Sequence, residues 1–457
     1  MRRLLLLAAL LCLAVPSAAQ ARPFKVGTGQ NAGIAIDDAG TIYVAWQVNV
    51  YNPGDAVQFC IIPPRATRCG FQTTVAFPGQ SFNRARASVL LQGNNVIDVI
   101  EPRTDGTGAY SFLARSIDGG RTFGPARRIS AEQFPEAIVG PGGSIGLVGA
   151  PTTLRAGLFN PDGTSANTKG SELGPYLEGV FNDIATNGNE VLAAGSDANV
   201  THAFRLPLGA NDNDPGSWQQ IDPARAREPK VAGLPGGFAI MLEPSSGASP
   251  LFVQRLEGAG WSPPVGIAPS VPNSGYELVS NGRGRLSAVI IQGAYHFHYT
   301  TSTDGGVLWS SLVNTANFKR YQSSLQIATN SAGAGAAVGD SSLDDKAIRV
   351  SRFTPRAAPV KRRTIRGRRV QVRGWCDDGK LSVLVEAARG TRRVSPGSVL
   401  RRASFGRTRR ARPGFRTRFR ARYSLRRSHA TVPVRLVPRR AKARTVRLRV
   451  RRCSATS

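Results

Sequence analysis

The sequence predicts an all-β chain. A β-propeller of seven blades, with six as the alternative, is followed by a small Ig-like β-sandwich domain. Three observations carry this. A strand–turn–strand phrase recurs seven times, a glycine sits at the turn of each copy, and a strongly basic C-terminal region alternates strictly in steps of two.

The phrase is a short apolar strand, a turn and a second, more apolar strand. Its copies are "GIAIDDAGTIYVAW" from Gly33, "SVLLQGNNVIDVI" from Ser88, "AIVGPGGSIGLVG" from Ala137 and "DIATNGNEVLAAG" from Asp183. "KVAGLPGGFAIML" from Lys230, "ELVSNGRGRLSAVI" from Glu277 and "LQIATNSAGAGAAVG" from Leu325 complete the set. The turn glycines are Gly40, Gly93, Gly142, Gly188, Gly236, Gly284 and Gly333, spaced by 53, 49, 46, 48, 48 and 49 residues. Tight hairpin turns need positive φ, which glycine adopts without steric cost. A third alternating segment ("AYSFLARS", "THAFRLPL", "LFVQRLE", "AYHFHYTT") and a fourth ("PARRIS", "PPVGIAP") follow most copies. Four short strands at this period describe a propeller blade; sandwich strands do not repeat in this way. The last copy supplies only three strands, ending at "AIRVSRF", and "RPFKVG" near the start is expected to add the fourth and close the ring.

The chain of 457 residues opens with Arg2 and Arg3, an apolar core from Leu4 to Val15, and the small-x-small site Ala19-Gln20-Ala21. This reads as an export leader over residues 1–21, too short to be a membrane anchor. The mature protein is expected to be secreted or associated with the cell surface, without a transmembrane segment, and monomeric. Four cysteines remain, and an even count in an exported chain favours disulfides. Proximity suggests Cys60–Cys69 and Cys376–Cys453 among the three pairings that four cysteines allow. The net charge of +31 is concentrated at one end. From Arg356 onward 33 Lys or Arg face three acids, a net +30, which leaves +1 for the first 355 residues. That shift places the propeller at 22–354, a linker at 355–365 and the basic domain at 366–457.

Two short stretches share one frame at the same phase, between the third and fourth strands of their repeats. They are "SIDGGRTFG" from Ser116 and "STDGGVLWS" from Ser302. They resemble the Asp-box, or BNR repeat, of sialidase-superfamily propellers, Ser/Thr-x-Asp-x-Gly-x-Thr-Trp/Phe. Ser116, Asp118, Gly120, Thr122 and Phe123 match it fully; Ser302, Asp304, Gly306 and Trp309 match with Leu308 in the threonine slot. The resemblance implies a structural clamp on the rim, away from the catalytic mouth. Ser and Asp side chains bind nearby amides, and the aromatic folds onto the sheet.

The same resemblance raises the question of sialidase activity. Sialidases grip a substrate carboxylate with three arginines and use a Tyr–Glu pair and an aspartate. The Phe/Tyr-Arg-Ile-Pro motif that carries their first arginine is absent here. Arginines Arg84, Arg86, Arg103, Arg255 and Arg283 and tyrosines Tyr43, Tyr51, Tyr176, Tyr276 and Tyr295 are available, but their spacing selects no triad. No catalytic residue, cofactor or metal ligand is therefore assigned. His296 with His298 reads as a polar strand face, and Asn211-Asp-Asn-Asp214 reads as a turn without EF-hand spacing.

In the basic region "FRTRFRARY" and "VRLRVRRC" alternate, which puts Arg416, Arg418, Arg420 and Arg422, and Arg447, Arg449 and Arg451, on single strand faces. Such faces attract polyanions; an anionic cell-wall or matrix polymer is the expected partner, and nucleic acid is not expected as the physiological one. The sequence thus points to an exported, non-catalytic propeller for a glycan or protein ligand, held by a polyanion-binding tail. The alternative is a divergent exo-sialidase or other glycoside hydrolase.

Overall fold

The computed structural model describes residues 23–353, apart from short stretches of connecting chain, and beyond them the strands of two further sheets between 360 and 451. Seven antiparallel sheets stand around one axis. Their innermost strands are Gln30–Ile36, Ser88–Gly93, Glu136–Val139, Phe181–Thr186, Arg227–Leu234, Tyr276–Ser280 and Gln322–Thr329. Each lies beside the next and the seventh lies beside the first, so the ring closes. This is a seven-bladed propeller, and the six-bladed alternative falls away.

The closure is the one expected. Phe24–Thr28 pairs antiparallel with Ala347–Phe353, Phe24 opposite Val350 and Thr28 opposite Ala347, and becomes the outer strand of blade 7. A tryptophan from blade 1 locks it. Trp46 is 1% exposed, packs on Val338, Ile348 and Val350, and donates its indole N–H to Thr28 O at 3.1 Å. A Cβ at Gly27 would stand 2.3 Å from the Trp46 ring, so the closing strand needs glycine where the indole lies across it.

All seven turn glycines adopt positive φ, between 65° and 91°. For Gly40, Gly93, Gly142, Gly188 and Gly236 an added Cβ would meet nothing, so backbone conformation and not crowding selects glycine there. The small residues of the second strands have a different cause. Ala193 faces the blade 3 side chains Leu154 and Ala156, while Ala194 faces Phe238 and Ile240 of blade 5. Near the axis neighbouring sheets converge, and alternate positions must fit both gaps.

Cys60 and Cys69 form a disulfide that ties the third strand of blade 1 to the loop before its fourth. Cys376 lies in the strand Arg368–Asp377, but its side chain and Cys453 fall outside the described residues. The basic region contributes a five-stranded antiparallel sheet and a three-stranded one. Among the described residues no helix is long and apolar enough to cross a membrane.

Candidate functional site

The propeller has two unlike faces. The turns after the third strands lie on the face of the turn glycines: Gly119 N–H donates to Asn95 O at 2.9 Å, and Gly305 N–H to Gly284 O at 2.9 Å. In the first of these turns, Ser116 Oγ donates to Asp118 Oδ1 at 2.7 Å and accepts from Gly120 N–H at 2.8 Å. Asp118 also accepts from Thr122 Oγ1 at 2.7 Å and from the N–H groups of Arg121 and Thr122 at 3.0 Å. These bonds, led by those from Thr122, hold its carboxyl well below the usual range. In the second turn Ser302, Asp304 and Gly306 repeat the pattern, and Asp304 accepts from Leu308 N–H at 2.9 Å. Phe123 packs edge-on against Phe59 at 5.0 Å, and Trp309 is 2% exposed, its N–H on Gly306 O. The serine and aspartate side chains of both turns are engaged in holding the turn.

The Asn211–Asp214 segment does the same work elsewhere. Asp212 Oδ2 accepts from Leu158 N–H at 2.9 Å, and Asp214 Oδ1 from Gly216 N–H at 2.9 Å. No cluster of three or more metal-ligating side chains occurs among the described residues. The side chain of His296 lies outside them.

The opposite face, where the inner strands begin, is the mouth. Here five ionisable side chains from five successive blades converge: Arg86, Glu136, Asp183, Lys230 and Glu277. Glu277 Oε1 is 2.8 Å from Lys230 Nζ and 3.1 Å from Arg86 Nη1. Arg86 Nη1 is also 3.9 Å from Glu136 and donates to Leu325 O of blade 7 at 3.1 Å. Asp183 accepts from Ile184 N–H at 2.9 Å and from Val231 N–H of blade 5 at 2.7 Å. Burial pushes the Asp183 carboxyl up to about 8; Lys230 opposes the rise, and Glu277 and Glu136 add to it. Burial likewise raises Glu136, against the pull of Arg86. Burial alone would lower Lys230, but Glu277, Asp183 and Glu136 outweigh it and hold the ammonium charged.

Two further groups adjoin this ring. In blade 5, Arg227 Nη2 lies 3.4 Å from Glu243, and Tyr276 of blade 6 donates its hydroxyl to Glu228 O of blade 5 at 2.5 Å. Burial, with Glu228 and Glu243 nearby, lifts the Tyr276 phenol well above its ordinary range. Between blades 1 and 2 a polar seam runs through Asn31, Gln47, Glu101, Arg103 and Asp55, with Gln47, Glu101 and Arg103 fully buried. Gln47 Nε2 donates to Glu101 Oε1 at 2.6 Å, and Arg103 Nη2 stands 3.1 Å from Asp55. Burial pushes Glu101 up to about 8, with Arg103 opposing.

Of the arginines and tyrosines singled out in sequence, Arg86, Arg103 and Tyr276 come to the mouth side. Arg255 instead lies beside Gly306 and pairs with Glu257, and Tyr43 donates to Asp37 next to a glycine turn. Arg283 sits in the turn between the first two strands of blade 6. Arg84, Tyr51, Tyr295 and the side chain of Tyr176 fall outside the described residues. Sequence reasoning missed Glu136, Asp183, Lys230 and Glu277, although they recur at intervals of 47 residues. In the basic region Arg418, Arg420 and Arg422 lie in Thr417–Tyr423 and Arg447, Arg449 and Arg451 in Arg444–Arg451; Arg416 falls outside the described residues.

No protein-family model and no curated protein matches the chain. Among solved structures it is similar to a Hadza microbial sialidase, Hz136, at 13% identity and a TM-score of 0.41, over 72% of this chain and 66% of that one, just under two thirds of its length. It is similar to YCF48 bound to a D1 peptide at 12% identity and a TM-score of 0.45, over 74% and 96% of the two chains. The Aleuria aurantia lectin AAL shares 10% identity, with a TM-score of 0.38, over 72% and 97%. By its own strand pairing, the chain is of the all-β class and carries a seven-bladed β-propeller, with five ionisable side chains gathered at one mouth.

Proposed function

We propose that the protein is an exported, non-catalytic binding protein whose propeller mouth receives an uncharged, hydroxyl-rich glycan or a protein loop, and whose basic module holds it to an anionic polymer. One observation carries the reading of the mouth. Three arginines there are committed to a carboxylate: Arg86 to Glu277, Arg103 to Asp55, Arg227 to Glu243. An acidic sugar would have to displace those partners and leave a buried charge behind. Tyr276 does not suit the part of nucleophile either, because its proton goes to a backbone carbonyl and its phenol is raised rather than lowered.

The alternative is a glycoside hydrolase acting on an uncharged substrate. The raised carboxyls of Asp183 and Glu136, close to Glu277, favour it, since a protonated carboxyl beside an ionised one is the requirement for acid–base cleavage. A fluorogenic glycoside panel that includes sialosides, run beside a glycan array on the full chain, separates the two. Retention of neutral glycans without turnover is expected. Release of fluorophore from any glycoside overturns the non-catalytic reading, and selective retention of sialylated glycans overturns the assignment of an uncharged ligand.

A further inference from the structure

We infer that Glu277 decides the charge class of ligand that the mouth admits: its carboxylate fills an anion site built by Arg86 and Lys230, and without it the site takes the carboxylate of a uronic-acid sugar. This rests on the reading of the mouth as a glycan site and names the residue that sets its specificity. Glu277 Oε1 is 2.8 Å from Lys230 Nζ and 3.1 Å from Arg86 Nη1. One oxygen thus meets two cations from two other blades, which is the position an oxygen of a bound carboxylate would take. Glu136 does not fill that position, since it stands 3.9 Å from Arg86, beyond hydrogen-bond reach.

The cations have supports besides Glu277. Arg86 donates to Leu325 O at 3.1 Å, and Asp340 attracts it, the weakest of the acids that do so. Lys230 stands in the strand Arg227–Leu234, opposite Met241, and Asp183 and Glu136 attract it along with Glu277. Burial raises Asp183 to about 8 and raises Glu136 as well, so at pH 7 these two balance the cations incompletely. Removing Glu277 therefore leaves two cations, held in place, with too little negative charge beside them.

The site is also open. In the sealed pair of Arg103 and Asp55 the side chains are 0% and 5% exposed, whereas Arg86, Lys230 and Glu277 keep 22%, 15% and 11%. A sealed pair can only brace its blades. This one meets water at the mouth, where a ligand can reach it.

The test melts the full chain and its Glu277→Ala variant at pH 7, in sodium acetate and in sodium chloride of equal ionic strength. Acetate should stabilise the variant and not the parent, by about 2 °C in the midpoint at ten times its dissociation constant. Glu277→Gln removes the charge but leaves a side chain in the site. Its response should fall between those of the parent and the alanine variant, and it stands in if the alanine variant does not fold. Adding Lys230→Met to either variant should abolish the response; the basic module is common to all these chains and cancels. On a glycan array, Glu277→Ala should shift the preference from neutral to uronic-acid-terminated glycans by about tenfold or more relative to the parent. A folded variant that acetate stabilises no more than the parent, or a response that survives Lys230→Met, overturns the role of Glu277. Acetate stabilisation with no shift on the array overturns the uronic-acid assignment. Acetate stabilisation of the variant, with no neutral glycan retained by the parent, keeps the anion site and removes the neutral-glycan reading instead.

Discussion

Lys230 Nζ and Glu277 Oε1 meet at 2.8 Å across the gap between blades 5 and 6, and the same oxygen binds Arg86 from blade 2. One carboxylate therefore joins blades that are far apart in sequence. The Glu277→Gln variant should lose about 2 kcal/mol, less than the about 3–5 kcal/mol lost with a fully buried partner, because these side chains keep some contact with water. Urea denaturation of the two proteins measures it. An unchanged midpoint would show that the ring is ornamental to stability.

Stability should depend on pH through Glu101 and Asp183. Both bind their proton more tightly folded than unfolded, since burial raises each to about 8. Their contribution is complete below the ordinary carboxylate range and is lost as pH rises towards about 8. The Glu101→Gln variant keeps the acceptor for Gln47 and cannot ionise. It should match the parent in mild acid and exceed it above pH 8, as seen in denaturation midpoints taken across that range.

The rim turns should be separable from the mouth. Trp309→Ala should cost about 3–5 kcal/mol, as expected for a buried indole. Asp118→Asn should lower the melting temperature more modestly, through lost bonds to Thr122 and Ser116. Neither should change glycan retention at the mouth, which lies on the opposite face; loss of retention in a protein that still unfolds cooperatively would place the ligand on the rim.

Deleting Phe24–Thr28 should expose the edge of Ala347–Phe353 and uncover Trp46. Cooperative unfolding should be lost and association should begin, both visible in sedimentation and calorimetry. A synthetic peptide of the deleted strand should restore the transition.

The scaffold was legible because its signals repeat. Gly188 and Gly236 mark turns by a backbone requirement that no neighbour alters, and "RPFKVG" announced a strand that its own blade lacked. The mouth was harder to read. A search keyed to apolar phrases discards the polar residue that opens each one, so the 47-residue ladder of Glu136, Asp183, Lys230 and Glu277 passed as strand ends. Arg86 lies 50 residues before Glu136, out of step with that ladder, and only the ring brings it to Glu277. Glu101 and Arg103 did leave a trace. The charges inside "VIDVIEPRT" are costly in a buried strand unless something answers them; Gln47 and Asp55 answer Glu101 and Arg103 from another blade, and Arg115 answers Asp98 from within the blade.

The pairing of Phe24 with Val350 also sets an order of assembly. This strand is made early and used last, because its partner is made more than three hundred residues later. Until then the strand Phe24–Thr28 has no partner, and Trp46 lacks the apolar cover of Val338, Ile348 and Val350. Closure is a long-range step that must await the whole propeller, and contacts so distant in sequence form slowly. The blades pair strands that follow one another in sequence, so each can form early, and only the last seam waits for the far end of the propeller.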